Sequence, residues 1–194
     1  MKPRIGIIGN GNVGSALARG LERGGYAVRA VDSEPGKVKA AGEWAEVVIL
    51  AVPYGAVDDA IRELGSSIHG KTLVDVSNAL TEDMKLASGC TTSGAEHLQQ
   101  IAHGARVVKA FNTQFAGQMD TGQLGGQPLT VFAASDDAEA KQQVMEMAKA
   151  IGFNPIDAGP LQNARLLEPL GYFNIQLGYV LGLGTNIGLT LLRA

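Results

Sequence analysis

The chain has 194 residues with a formal net charge of −3, and hydrophobic residues make up 45% of it, which is material for one cored domain and too little for two full-sized ones. No run of Lys or Arg gathers anywhere, so the electrostatic footprint of a nucleic-acid binder is missing. Glycine is in excess, 26 residues without a Gly-X-Y period, so these glycines serve as backbone specialists at particular places.

In chain order, RIGIIG at 4–9 is a short apolar run ending at glycine, the pattern of a buried parallel strand. Val13, Ala16, Leu17 and Leu21 then recur at helical spacing from Asn12 to Glu22, and Gly24-Gly25 stops the pattern. AVRAVD at 27–32 predicts the second strand. Alternation continues with strands at 45–53, 71–77, 106–111, 128–135 and 153–159, and with helices at about 55–64, 94–103 and 136–151. A Gly- and Gln-rich loop occupies 117–127 and an apolar helical tail closes the chain. Such alternation predicts an α/β fold with a doubly wound, mostly parallel sheet. Only 14 residues lie between Asp32 and Val47, room for one short crossover and no extra strand. The division expected is 1–159 as the sheet domain and 160–194 as a C-terminal helical segment packing on a cleft or a dimer interface.

Gly9-Asn10-Gly11-Asn12-Val13-Gly14 fits G-x-G-x-x-G directly after a predicted strand and at the start of a predicted helix, the Rossmann dinucleotide fingerprint in its required context. Gly9 permits the tight turn, Gly11 lets a pyrophosphate approach the backbone, and Gly14 lets the helix pack closely on the sheet. The acidic partner is Asp32, 18 residues beyond Gly14 at the end of the second strand. A carboxylate there accepts hydrogen bonds from ribose hydroxyls and repels a 2′-phosphate, favouring NAD, whereas Ser33, Lys37 or Lys39 would accommodate the phosphate of NADP. The nucleotide is therefore NADP or NAD.

Ligands of an open parallel sheet bind beyond the carboxyl ends of its strands. Those ends read Val52-Pro53-Tyr54, Ser77-Asn78-Ala79, Asn112-Thr113-Gln114 and Ala158-Gly159-Pro160, small, polar or turn-forming residues suited to a flat ring. Asn78 and Asn112 are candidates for the nicotinamide carboxamide or for a second ring, with ordinary turn chemistry as the alternative. His69, His97, His103 and the single Cys90 lack metal-ligand spacing, so no metal is expected. No nucleophile motif occurs, and no side chain is assigned a catalytic role. Hydride transfer between two ring cofactors asks the protein mainly to align donor and acceptor carbons.

G-N-G-N-V-G at 9–14, D-V-S-N at 75–78, V-V-K-A-F-N-T at 107–113, D-A-G-P-L at 157–161 and A-R-L-L-E at 164–168 together resemble the coenzyme F-420-dependent NADP oxidoreductase family. The second and third segments are also similar to the cytosolic reductase domain of six-transmembrane ferrireductases. This resemblance implies a Rossmann domain holding NAD(P)H along Gly9–Gly14, a deazaflavin or flavin ring meeting the nicotinamide near Asn112–Ala116, and a C-terminal segment closing the cleft. Where members that use NADP carry a Ser-Arg or similar pair after the second strand, this chain reads Val31-Asp32-Ser33-Glu34. The function expected is hydride transfer between NAD(P)H and coenzyme F-420 or a flavin. The alternatives are a dinucleotide-binding regulatory or scaffold module without turnover, or a reductase of a small carbonyl or imine.

The stretch 169–192 carries no charge and is long enough to cross a bilayer, but Pro169, Asn174, Gln176, Asn186 and five glycines dilute its apolar character. A buried or dimer-forming helix pair is expected there, with Leu166, Leu170, Phe173, Leu177, Val180 and Leu181 on one face, and a second phosphate or ring contact at Gly182-Leu183-Gly184-Thr185 is the alternative. A cytoplasmic homodimer without a membrane partner is the accompanying expectation.

Overall fold

The computed structural model describes residues 2–34, 36–81, 83–88 and 90–193. Five parallel strands form the central sheet: β1 (Ile5–Ile8), β2 (Val28–Val31), β3 (Val47–Leu50), β4 (Thr72–Asp75) and β5 (Arg106–Lys109), in the order β2-β1-β3-β4-β5. Their crossovers are α1 (Asn12–Arg23), α2 (Lys37–Trp44), α3 (Val57–Leu64) and α4 (Gly94–Ile101). The short link between Asp32 and Val47 holds α2 alone, which leaves β2 at the edge of the sheet as the residue count requires.

Near-continuous apolar strands need cover on both faces, because successive side chains point to opposite sides. Ile5, Ile7, Val47 and Ile49 pack with Leu17 and Leu21 of α1, and with Val144 and Met147 of α5 (Ala138–Ile151). Ile8, Val48, Leu50 and Leu73 pack on the other face against Leu64 of α3 and Leu98 of α4. The Gly- and Gln-rich loop contains a small antiparallel pair, β6 (Gln123–Leu124) and β7 (Gln127–Pro128). β8 (Thr130–Ala133) pairs in parallel with β9 (Asn154–Asp157), and an antiparallel bridge between Lys109 and Ala134 joins this pair to the edge of the main sheet.

The tail departs from the expected helix pair. One helix, α6 (Ala164–Ile175), ends in a π turn at Gln176–Val180, and Gly182 and Gly184 then take φ of +76° and +72°, a conformation that breaks helical continuation. The chain instead crosses back to β8, where the Thr130 amide donates to the Leu189 carbonyl at 2.9 Å and the Leu191 amide to Thr130 Oγ1 at 2.8 Å. Among the described residues no helix is long and apolar enough to cross a membrane.

The face of α6 is also opposite to the one its apolar pattern suggests. Ala164, Leu167, Glu168, Gly171 and Asn174 point inward, whereas Leu166 and Phe173 are 64% and 55% exposed. Gly171 explains the inward choice, since a Cβ there would lie 2.6 Å from both the Asn112 carbonyl and Asn78 Oδ1. The helix backbone therefore rests directly on the paired asparagines.

The fingerprint glycines separate by what surrounds them. A Cβ on Gly14 would sit 1.8 Å from the Gly9 carbonyl oxygen, and one on Gly9 2.3 Å from the Ala51 carbonyl. A Cβ on Gly11 meets nothing within 4 Å. Gly14→Ala is expected to lower stability by roughly 3 kcal/mol or more, and Gly11→Ala to remain within about 0.5 kcal/mol of the parent, in equilibrium urea unfolding.

Candidate functional site

The turn after β1 delivers α1 with its N-terminus open. Gly11 is the N-cap and offers no side chain, so the first amides of α1 keep free N–H groups and the positive end of the helix dipole faces out. The turn is held to β2 by the Gly9 amide donating to the Val31 carbonyl at 2.9 Å. Next to it lies a groove of about 310 Å³ lined by Gly11, Asn12, Val13, Ala51, Val52, Pro53, Val76 and Ser77. Five of these residues, Val13, Val52, Pro53, Val76 and Ser77, also line a deeper cavity of about 260 Å³ at the ends of β3, β4 and β5, so the two form one continuous cleft.

The deeper part is walled by Asn78, Asn112, Thr113 and Phe115 from the strand ends and by Gly171, Asn174 and Ile175 from α6. Its geometry begins at Phe111, whose φ of +66° places a buried aromatic residue in the left-handed region. This conformation costs on the order of 1 kcal/mol or more and persists only where packing over-determines it. Here Phe111 stacks edge-on against Phe153 with centroids 5.8 Å apart, and the chain is turned so that Asn112 to Phe115 meet the cleft.

Asn112 Nδ2 donates to Asn78 Oδ1 at 2.8 Å and to the Leu167 carbonyl at 2.7 Å, while Asn78 Nδ2 donates to the Asn112 carbonyl at 3.0 Å. Two acceptors around Nδ2 fix the amide's orientation, since the flipped form would set oxygen against oxygen. Asn112 Oδ1 is then left buried with no protein partner. A buried acceptor without a donor is costly, and Asn112 is one of the residues that line the cleft.

Behind that wall sits a cluster of buried charges. Lys109 Nζ lies 2.8 Å from Asp75 Oδ2 and 3.0 Å from Glu168 Oε1, and it donates to the Ser77 carbonyl at 2.6 Å. Glu168 also accepts from the Gly94 and Ala95 amides at the start of α4, and Asp75 Oδ1 accepts from the Ser77 amide and hydroxyl. Burial works against the Lys109 charge, but the two carboxylates outweigh it and raise the ammonium above its ordinary value. Tyr54 lines the cavity, and burial, followed by the Glu168 and Asp58 charges, raises its phenol so that it stays protonated.

The candidate residues distribute along this cleft. Gly11, Asn12 and Val13 line its outer part, Val52, Pro53 and Ser77 the middle, and Asn78, Asn112 and Thr113 the deep end. Gly9 and Gly14 shape the turn from beneath. Asp32 and Ser33 stand exposed past the end of β2, beside the turn and outside the deep cavity. Ala116 begins a short 3-10 helix and is not among the lining residues, and Ala158, Gly159 and Pro160 lie outside the cleft. Lys37 and Lys39 are paired with Glu34 and Glu43. Sequence reasoning missed Met119, Asn174 and Tyr179 in the wall and the whole Asp75–Lys109–Glu168 cluster. Among the described residues no group of acidic, His or Cys side chains could hold a metal ion.

An open sheet switching direction between β1 and β3, with a glycine turn and free helix N-terminus at that point, defines a Rossmann-type dinucleotide-binding domain. The family model described as NADP oxidoreductase coenzyme F420-dependent matches residues 4–43 and 31–79. The F420-dependent NADP reductase of Methanothermobacter marburgensis is 31% identical over 67% of this chain and 61% of its own length. Metalloreductase STEAP3 of Rattus norvegicus is 33% identical over 87% of this chain, and the match spans 36% of that protein. A crystal structure titled a putative F420-dependent NADP-reductase from Arthrobacter sp. FB24 superposes with a TM-score of 0.87 at 28% identity, covering 98% of this chain and 100% of the other. In sequence and fold the chain is similar to the coenzyme F420-dependent NADP oxidoreductase family. It spans little more than a third of the metalloreductases it matches.

The docking of α6 on α4 has its own pH signature. Arg165 grips Glu96 through Nε at 2.9 Å and Nη2 at 2.7 Å, and this bond holds the Glu96 carboxyl below its ordinary value of 4.5. A depressed folded-state value contributes stability that is complete above the unfolded value and lost as pH falls through the folded one. The urea midpoint is expected to drop between about pH 6 and about pH 3, and Glu96→Gln to flatten that dependence.

Proposed function

We propose that the chain is an oxidoreductase that moves a hydride between NAD(P)H and a flat-ring acceptor, a deazaflavin such as coenzyme F420 or a flavin. Residues 1–159 act as the dinucleotide-binding part and 160–194 as the segment that closes the cleft. The observation that carries this reading is the continuity of the phosphate turn with a deep cavity lined by Asn78, Asn112 and Thr113. When bound, the nicotinamide supplies the hydride chemistry itself.

The chain's residues perform binding, orientation and exclusion of water. The open space over Gly11 and the free amides of α1 receive the pyrophosphate, with Gly9, Asn10, Asn12, Val13 and Gly14 forming the cradle. Val52, Pro53 and Ser77 border the path from the turn to the deep cavity, where Asn112 Oδ1 accepts from a carboxamide or ring N–H and Asn78 holds Asn112 in place. Thr113 lines the same wall and Ala116 stands just beyond it. Phe115, Ile175 and Tyr179 keep the deep end apolar, and α6 screens it from water. Among the described residues none of these lining side chains is charged, which suits flat aromatic rings in contact.

At the adenine side, Asp32 favours a free ribose hydroxyl, and Ser33 lies beside it for contact with a sugar or phosphate oxygen. Titration with NADH and NADPH, followed by nicotinamide fluorescence, is expected to show binding of at least one nucleotide well below millimolar. Gly11→Ala should weaken it several-fold, and Asp32→Ala should improve NADPH relative to NADH by about tenfold by removing like-charge repulsion. No binding of either nucleotide at millimolar concentration would refute the reading.

Two copies are proposed to associate through the outward apolar face of the C-terminal segment, where Leu166, Phe173, Val180 and Leu181 are each more than half exposed. Sedimentation equilibrium should return a dimer mass, and Phe173→Glu should return the monomer mass.

A further inference from the structure

Among the described residues, the lining of the cleft from Gly11 to Tyr179 contains no formally charged side chain. Behind its wall lies the cluster of buried charges. Asp75 accepts only from donors, the Ser77 amide at 2.9 Å, the Ser77 hydroxyl at 2.7 Å and Lys109 at 2.8 Å. Glu168 likewise accepts from the Gly94 amide at 3.0 Å, the Ala95 amide at 3.2 Å and Lys109. Every short contact to the two carboxylates comes from a donor, and one ammonium faces both of them. The cluster is formally minus one, offset in part by the positive end of α4 on Glu168, and it is almost completely buried, so solvent screens it little.

Neighbouring charges do not cancel it. Arg165 is bound to Glu96 and Lys141 to Asp157, each cation already engaged by a carboxylate outside the cluster. The link to the cleft is Ser77, which lines both of its parts, donates twice to Asp75 and accepts from Lys109 through its carbonyl.

We infer that Asp75, Lys109 and Glu168 form a fixed unit of negative charge behind the cleft wall that makes this site hold oxidised nicotinamide in preference to reduced nicotinamide. This rests on the dinucleotide reading above. Loss of a hydride turns a neutral ring into a cationic one, and a buried anion nearby stabilises only the latter. The cluster thereby biases the bound nicotinamide toward its oxidised form. Its three members are positioning residues, since none lines the cleft itself.

The same groups also tie α6 to the strand ends, so the experiment must separate charge from mechanical support. Dissociation constants for the oxidised and reduced forms of the preferred nucleotide are measured by calorimetry on the parent protein, Glu168→Gln, Asp75→Asn and Lys109→Arg. Neutralising either carboxylate is expected to shift the ratio of the two constants by about tenfold toward the reduced form, on a Coulomb estimate at an effective dielectric of about 20. Lys109→Arg keeps the charge and should leave the ratio within about twofold. Two independent carboxylate variants allow for one that does not fold. If both nucleotide forms weaken in parallel and the ratio is unchanged, the cluster is only a structural tie and the inference is overturned. If the parent protein binds neither form, the dinucleotide reading fails and this inference fails with it.

Discussion

A single buried ammonium, that of Lys109, connects the pieces from which the cleft is built. It lies at the end of β5, meets Asp75 at the end of β4 and Glu168 on α6, and reaches the carbonyl of Ser77 in the cleft wall. Burying such a charge carries a desolvation cost of several kcal/mol, recovered only when partners surround it. That requirement dictates geometry: β4, β5 and α6 must come together at one place, and Glu168 must also cap the first amides of α4. Removing one partner would strand the others, so this polar knot specifies where α6 docks in a way that apolar contact alone would not.

The consequence for α6 is an inverted helix. Leu166 and Phe173 of its apolar stripe face outward, and its inner face combines Leu167 with small and polar residues that fit the knot and the paired asparagines. Gly171 brings the backbone onto Asn78 and Asn112, and Gly178 lies so close to Phe115 that a Cβ would approach Cζ to 2.7 Å. Tail glycines thus serve close packing within the chain, while Gly182 and Gly184 turn it back toward β8. The cleft is narrow at its deep end because of this packing, and open at the α1 end because nothing stands above Gly11.

The parts legible in the sequence are those encoded by neighbours in the chain. Strand runs, helical spacing and the glycine fingerprint are local patterns, and the count of residues after Asp32 was enough to exclude an extra strand. Asn78 and Asn112 followed from the rule that ligands meet the ends of parallel strands. The rest depends on contacts distant in sequence. Nothing near Glu168 announces a partner 59 residues earlier in the chain. The left-handed Phe111 has no local signal either, because that conformation is normally left to glycine or asparagine. Helical periodicity identified the apolar stripe of α6 but not its direction, which is decided by the buried ions and by Gly171.

The account treats the cleft as a place where two flat rings meet and a hydride passes between them. Its most direct test is anaerobic incubation of the protein with NADPH or NADH in the presence of coenzyme F420, FAD or FMN, following the nicotinamide and acceptor absorbances together. The account predicts oxidation of the nicotinamide in one-to-one step with reduction of at least one of these rings, at a rate proportional to protein concentration. Nucleotide that binds the protein and remains reduced with every acceptor would contradict it.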